Sequence, residues 1–191
     1  MKQWAQKQAG FTIVELLIVV VVIAILAAIT IVSFSGIQQQ AKVTSIVDAA
    51  GKSQRMIMAY IAKNGTYPYT GSSYACITTE STCRRNSGPL ANVATFDTEM
   101  ATIGSTPKST PLATDIRGGI TYQYNASRTV DGTPAPAVLG YYLPGTNVDC
   151  GFPVLNGDST AAVTVSSKYT NGNVGSSNTT QCVVSIPGPG V

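Results

Sequence analysis

A long apolar run lies near the amino terminus of the chain. Residues 1–10 are mostly polar and include Lys2 and Lys7, whereas residues 16–34 are almost entirely apolar. As a helix, this run extends about 28 Å, close to the ~30 Å hydrocarbon core of a bilayer. The two lysines that precede it orient the amino terminus toward the cytoplasm. The pattern predicts a membrane-spanning helix whose later residues lie outside the cytoplasm.

After Gly36 the apolar pattern changes to that of an amphipathic helix. Apolar positions now recur at spacings of three, four and seven residues, which place them on one helix face. These positions are Val43, Ile46, Val47, Ala50, Ile57, Met58 and Ile61. Gln54 occupies the one polar position of this stripe, and Asn64-Gly65-Thr66-Tyr67-Pro68 supplies a chain reversal and a proline. The pattern predicts that the helix continues over residues 36–63.

Strand-like runs occupy the carboxyl-terminal part of the chain. They cover residues 120–124, 137–143, 161–166 and 182–186, and turn-forming segments such as 131–132 and 171–173 separate them. We expect an antiparallel meander with one face against the helix. Residues 69–118 show little periodicity and are interpreted as a long connection with a short helix near 92–103.

These patterns together predict an α+β fold in which a long amino-terminal helix packs on a small antiparallel sheet. The expected organisation is a leader peptide over 1–10, a transmembrane or filament-core helix over 11–35, an amphipathic half over 36–63 and a globular head over 64–191. A chain of 191 residues accommodates one such head.

Composition narrows the classes of function. Only 11% of the residues are charged, and Gly, Ser and Thr are frequent, which is typical of a loop-rich extracellular surface. The chain has no histidine, which excludes Ser-His-Asp and Cys-His catalysis and histidine-based zinc sites. Because no nucleophile is paired with a base either, the sequence predicts no catalytic residue, no cofactor and no enzyme.

Four cysteines follow the apolar run and indicate disulfides formed in an oxidising compartment. Of the three possible connectivities we favour Cys76 with Cys83 and Cys150 with Cys182. The first pair would close a short loop, and the second would tie the carboxyl-terminal segment to the head. A metal site is the alternative, but the chain has no Cys-x-x-Cys pair, and we predict no metal.

An acidic residue, Glu15, lies just inside the membrane-directed segment, and Gly10-Phe11 stands at its polar border. A carboxylate in hydrocarbon costs on the order of 2 to 4 kcal/mol, so an acid at this depth is expected to have a function and a partner. An ordinary signal peptide is the alternative, with an Ala-x-Ala-like cleavage site supplied by Ala24, Ala27 and Ala28. It explains neither Glu15 nor the Gly10-Phe11 border.

The string Gly10-Phe11-Thr12-Ile13-Val14-Glu15, behind a basic leader and before an apolar helix, resembles the class III signal motif of type IV prepilins and type II secretion pseudopilins. The resemblance implies that a prepilin peptidase cleaves between Gly10 and Phe11 and that Phe11 is then N-methylated. It also implies that Glu15 meets the Phe11 amine of a neighbouring subunit during assembly.

One departure concerns the helix itself. Many type IV pilins have a proline in the membrane half of this helix, whereas this chain has none before Pro68. Gly36, between Ser33 and Ser35, is the local weak point, because glycine lowers helix stability by roughly 1 kcal/mol relative to alanine.

The expected function is that of a structural subunit of a type IV pilus-like filament, with roles such as adhesion, twitching motility or DNA uptake. Its expected partners are further copies of itself, the cytoplasmic membrane before assembly, the prepilin peptidase and the assembly machinery. The expected location is the cytoplasmic membrane for the precursor and the cell surface for the filament. The alternatives are a major pseudopilin of a type II secretion system and a signal-anchored binding module that does not polymerise.

Two further groups of residues are candidate binding sites. Arg84 and Arg85 form a basic pair, but two charges supply little of the phosphate contact that nucleic acids require. Asp149, Asn156 and Asp158 carry oxygen ligands suited to calcium, but their spacing matches no standard calcium loop. A solvated turn and a disulfide-held loop are the preferred interpretations.

Overall fold

The structure is a computed structural model. It describes residues 10–71, 73–77, 83–85, 88–90, 92–106, 112–114, 117–155, 162–163, 165–166 and 178–189. The chain divides into two compact units, residues 1–40 and residues 41–191. Residues 1–9 of the predicted leader 1–10 lie outside the described residues, as do the predicted turn 171–173, Asn156 and Asp158.

Helix α1 runs without interruption over Ile13–Asn64, a length of 52 residues. It joins the two predicted halves, 11–35 and 36–63, into one helix, and Gly36 does not break it. The helix ends at Asn64, and the next residue, Gly65, has a positive φ of 68°. The Gly65 amide donates a hydrogen bond of 2.8 Å to the Ile61 carbonyl, which closes the last turn.

One stripe of α1 is buried within the second unit. Its buried side chains are Val43, Ile46, Ala50, Ser53, Ile57, Tyr60 and Ile61. Met58 was expected in this stripe, but its side chain is 42% exposed. One residue turns an α-helix by about 100°, so Met58 points away from the face that carries Ile57, and Tyr60 takes the place in the core. The buried polar position is Ser53, whose hydroxyl donates to the Ala49 carbonyl at 2.9 Å, whereas Gln54 is half-buried.

A second helix and a set of short strands complete the described fold. Helix α2 covers Ala94–Ala101, which confirms the short helix expected near 92–103. The strands are β1 (Ala75–Cys76), β2 (Arg84–Arg85), β3 (Gly88–Pro89), β4 (Leu112–Thr114), β5 (Arg117–Gly118), β6 (Ile120–Tyr124), β7 (Thr129–Val130), β8 (Thr133–Pro134), β9 (Ala137–Pro144), β10 (Val154–Leu155), β11 (Ala162–Val163), β12 (Val165–Ser166) and β13 (Thr179–Ile186).

The main sheet has the strand order β1-β6-β9-β13, and all its neighbours are antiparallel. Strands β6, β9 and β13 confirm the runs expected at 120–124, 137–143 and 182–186, and β13 begins three residues earlier than expected. Alternate residues of the sheet enter a core shared with the buried stripe of α1. The fold is therefore α+β, with a long amino-terminal helix and a small antiparallel sheet.

Two features differ from the expected meander. The region 69–118 is more than a connection, because β2, β3, β4 and β5 form a second sheet with the order β3-β2-β5-β4. Strand β11 pairs with β7 in parallel, which a simple meander does not allow. Strands of two or three residues give little alternation to read in a sequence, and their pairing is decided by the rest of the head.

Aromatic side chains fill much of the core of the head. Tyr122 and Tyr141 are fully buried, and the Phe96 ring of α2 stacks on Tyr122 with ring centroids 5.1 Å apart. Burial raises the pKa of both tyrosines, and the charge of Asp149 adds a smaller effect at Tyr141. Both hydroxyls therefore stay neutral. Both tyrosines are therefore packing residues of the core.

Both cysteine pairs that the sequence favoured are present as disulfides. Cys76 on β1 is bonded to Cys83, and Cys150 is bonded to Cys182 on β13. The second bond joins residues 32 positions apart. In the chain-entropy picture a loop of that size stabilises the fold by about 3 to 4 kcal/mol, because the bond restricts the unfolded chain.

Replacing Ile57 by alanine should destabilise the head strongly, because the Ile57 side chain is fully buried against the sheet. We expect the free energy of unfolding to fall by about 2 to 5 kcal/mol. Urea unfolding of the protein in detergent micelles, followed by tyrosine fluorescence, measures this change. Met58→Ala is the matched control, since the neighbouring Met58 is 42% exposed and should cost far less. Equal losses in the two variants would contradict the assigned helix face.

Candidate processing and assembly site

The start of α1 is closed by reciprocal hydrogen bonds between Thr12 and Glu15. The Thr12 hydroxyl oxygen accepts the Glu15 amide at 3.3 Å, and Glu15 Oε2 accepts the Thr12 amide at 2.9 Å. The Thr12 hydroxyl also donates to Glu15 Oε2 at 2.7 Å. This arrangement is a capping box, in which two amides without helical partners are satisfied by side chains.

Glu15 therefore caps its own helix and carries a charge into the apolar segment. Its side-chain bonds all use Oε2, so Oε1 accepts no hydrogen bond from the described residues. The carboxylate is exposed in the isolated chain. Negative charge is also favoured at this end of a helix, where the helix dipole is positive. One carboxylate oxygen is thus committed within the chain, and the other is open to a donor from another molecule.

Gly10 and Phe11 precede this cap in exposed, non-helical backbone. A Cβ built on Gly10 would meet no atom within 4 Å, and the residue lies outside the left-handed φ region. The described structure of the chain therefore does not itself require glycine at position 10. Phe11, with 85% of its surface exposed, packs on nothing in the described structure.

The first part of α1, up to Ile37, is exposed on every side where its side chains are described. Its large apolar side chains from Ile13 to Ile31, where described, are each about half exposed or more, and Phe34 and Ile37 are 61% and 65% exposed. The most apolar 18-residue window of α1 has a mean hydropathy of 3.3 and none of it is buried. Within the described residues, α1 alone is long and apolar enough to cross a membrane, judged by length and composition. These side chains lack the cover that a water-soluble helix needs.

The other candidate positions show no assembled binding site among the residues that the structure describes. Asp149 Oδ1 accepts the Gly151 amide at 2.9 Å and so shapes its own turn. Arg84 lies exposed on β2. In the described part of the chain, no group of three or more acidic, cysteine or histidine side chains is placed to hold a metal ion. The pocket lined by Thr30, Ile31 and Phe34 belongs to the exposed apolar surface of α1.

A known sequence motif matches the chain at the same place, and one known protein is similar over a longer stretch. The model of the prokaryotic N-terminal methylation motif matches residues 5–31. The chain is 27% identical over 113 residues to fimbrial protein EcpC of Eikenella corrodens, which covers 59% of this chain and 71% of that protein. No solved structure matches the chain. The chain therefore carries the class III signal of type IV prepilins, and its similarity to a fimbrial protein supports a pilin-type subunit.

The candidate residues Gly10, Phe11 and Glu15 lie in one short exposed segment. The structure shows that Thr12, in the same segment, also takes part, because it caps the helix. The capping role of Thr12 was missed in the sequence. The Thr12-x-x-Glu15 spacing directly before an apolar run is the signal that reveals it.

Replacing Thr12 by alanine should loosen the first turn of α1, because the Glu15 amide loses its acceptor and the carboxylate loses a donor. Loss of a threonine cap costs about 0.5 to 2 kcal/mol. The rate of amide exchange at residues 12–17 in detergent micelles should then rise by the factor that corresponds to this loss of free energy. Thr12→Ser keeps the hydroxyl and should behave as the unsubstituted protein. Unchanged exchange in Thr12→Ala would show that the cap does not form.

Proposed function

We propose that this chain is the precursor of a structural subunit of a type IV pilus-like filament. The observation that carries the proposal is an exposed apolar helix that begins just after Gly10-Phe11. Its third residue, Glu15, is a carboxylate hydrogen-bonded to Thr12. The match to the methylation motif and the similarity to a fimbrial protein support it. The role is structural, and no catalytic residue is assigned.

The first step is cleavage between Gly10 and Phe11 by a separate prepilin peptidase. Hydrolysis of this bond removes the leader and frees the amine of Phe11, which is then N-methylated. Because a Cβ at Gly10 would meet open space, the need for glycine comes from outside the fold. A peptidase active site that closes around residue 10 supplies such a reason.

The second step is assembly of the helices into a bundle. In the bilayer or the bundle, the Glu15 carboxylate is costly unless an opposite charge meets it. The Phe11 amine of a neighbouring subunit is such a charge, and Oε1 of Glu15 is open to it. The pair also favours one axial register, because a shift of one helical turn would separate the charges by about 5 Å.

The finer roles are those of such filaments: adhesion, twitching motility or DNA uptake, driven by a cytoplasmic assembly machinery. The precursor would lie in the cytoplasmic membrane, and the assembled subunit would lie at the cell surface. A major pseudopilin would share the same two steps and form a short filament within the envelope. Electron microscopy of sheared surface material, with mass spectrometric identification of the subunit, separates these two: long filaments containing this chain support the pilus.

Glu15→Leu should abolish filaments while leaving the protein in the membrane. A buried amine that loses its charge partner costs about 3 to 5 kcal/mol in each subunit, and this cost recurs along the filament. Immunoblots of sheared filaments and of membranes measure both pools. Asp131→Asn is the matched control, because it removes a carboxylate from an exposed turn of the head. Filaments at the ordinary level in Glu15→Leu would refute the charge-pair model.

Gly10→Val should leave the leader attached, because a branched side chain would obstruct the peptidase while fitting the open space of the folded chain. Intact mass spectrometry of the membrane protein would then show the full precursor. The unsubstituted protein should begin at Phe11 and carry one added methyl group. Gly36→Val is the control, since Gly36 is equally open but remote from the cleavage site. A mature amino terminus other than Phe11 would overturn the processing model.

A further inference from the structure

The loop between β9 and β10 presses closely on the first turns of α1 that belong to the head. A Cβ built on Gly151 would lie only 2.7 Å from Cγ1 of Val47. In the same way, a Cβ built on Gly51 would lie 3.0 Å from the ring carbon Cζ of Phe152. Because Gly151 and Gly51 have no Cβ, the Val47 side chain and the Phe152 ring can lie directly against their backbones. We call residues 148–152 the clamp loop.

The clamp loop is tied to the main sheet by one covalent bond and a few hydrogen bonds. Cys150 is bonded to Cys182 within β13, and the Tyr141 hydroxyl of β9 donates to the Cys150 carbonyl. The Val148 amide donates to the Thr180 hydroxyl oxygen at 3.0 Å. The Cys150–Cys182 disulfide therefore fastens the loop within two residues of both helix contacts.

The carboxyl-terminal turns of α1 are held by different contacts. The Lys63 ammonium donates to the Thr102 carbonyl, just after α2, at 3.2 Å. The Tyr69 amide, in the chain that leaves α1, donates to Glu99 of α2 at 2.6 Å. Neither contact involves the clamp loop, so the two ends of the buried helix stripe have separate attachments.

We propose that oxidation of Cys150 and Cys182 to a disulfide closes a clamp on α1. With the bond formed, the clamp loop holds residues 43–51 of the helix against the head. Before the bond forms, while Cys150 and Cys182 are thiols, these turns are separate from the head, whereas Ile57, Tyr60 and Ile61 are already packed. The apolar side chains Val43, Ile46 and Val47 are then accessible, so oxidation determines how much of α1 the head covers.

The chemistry of closure is thiol–disulfide exchange with a disulfide-bearing oxidant in the exported compartment. The Cys150 and Cys182 thiols give up two electrons and two protons and form one sulfur–sulfur bond. The oxidant's disulfide accepts them and becomes two thiols. This inference does not depend on filament formation, because the head has the same contacts in a single chain.

Hydrogen exchange with mass spectrometry tests the clamp on the full mature protein in detergent micelles. In a Cys150→Ser, Cys182→Ser double variant, peptides from residues 43–51 should exchange at least about tenfold faster, whereas peptides from 57–64 should keep their protection. The control is Cys76→Ser with Cys83→Ser, which removes a disulfide remote from the clamp loop and should leave both regions unchanged. Unchanged exchange over 43–51 overturns the proposal. Equal acceleration in the control, or faster exchange throughout the head, also overturns it.

A second variant opens the clamp without touching the disulfide. Gly151→Ala forces a Cβ against Val47 and also strains a backbone with φ of 74°. Gly132→Ala carries the same kind of strain, with φ of 80°, but its Cβ meets open space. We expect faster exchange over 43–51 in Gly151→Ala and not in Gly132→Ala. If both variants behave alike, the contact with Val47 is not what holds the helix.

Discussion

A single unbroken helix has to satisfy two different surroundings, and the rest of the structure follows from that constraint. The turn per residue is the same all along α1, so the side-chain pattern alone decides which faces are apolar. The first part is apolar in every direction and exposed, whereas from Val43 onward one stripe is apolar and buried. Gly36 lies near this change and leaves the helix continuous. The sheet, α2 and the clamp loop all pack within the unit that contains that stripe.

Glu15 is the charged residue at the amino-terminal end of α1 and forms its cap with Thr12. A carboxylate this close to an apolar run is expensive in hydrocarbon, and a single residue would make insertion less favourable. The Thr12 amide and hydroxyl offset part of that cost, because they replace two hydrogen bonds that water would otherwise provide. The bond from the Thr12 amide, together with the bond that the Glu15 amide donates to the Thr12 hydroxyl oxygen, satisfies two amides at the start of the helix. A group proposed for contact between subunits therefore also stabilises the helix that carries it.

Within the head, disulfides and buried hydrogen bonds add to the stability that hydrophobic packing provides. Both disulfides attach short irregular segments to the main sheet. Arg128 is fully buried and donates to the Gln123 side chain at 2.7 Å and to the Pro136 carbonyl at 3.1 Å. A guanidinium can be buried only when its donors are met in this way. The polar interior of the head is thus supported by specific bonds and not by hydrophobic packing alone.

The sequence by itself determined the features that depend on local pattern. The apolar run, the amphipathic stripe, strands β6, β9 and β13 and the Thr12-x-x-Glu15 cap are all encoded by residues close together in the chain. Only the tertiary structure decided that Met58 lies outside the core, that β11 runs parallel to β7 and that residues 148–152 press on Val47 and Gly51. Periodicity reports which face of an element is apolar. It does not report which distant segment covers that face, because such contacts are selected by packing among residues far apart in the sequence.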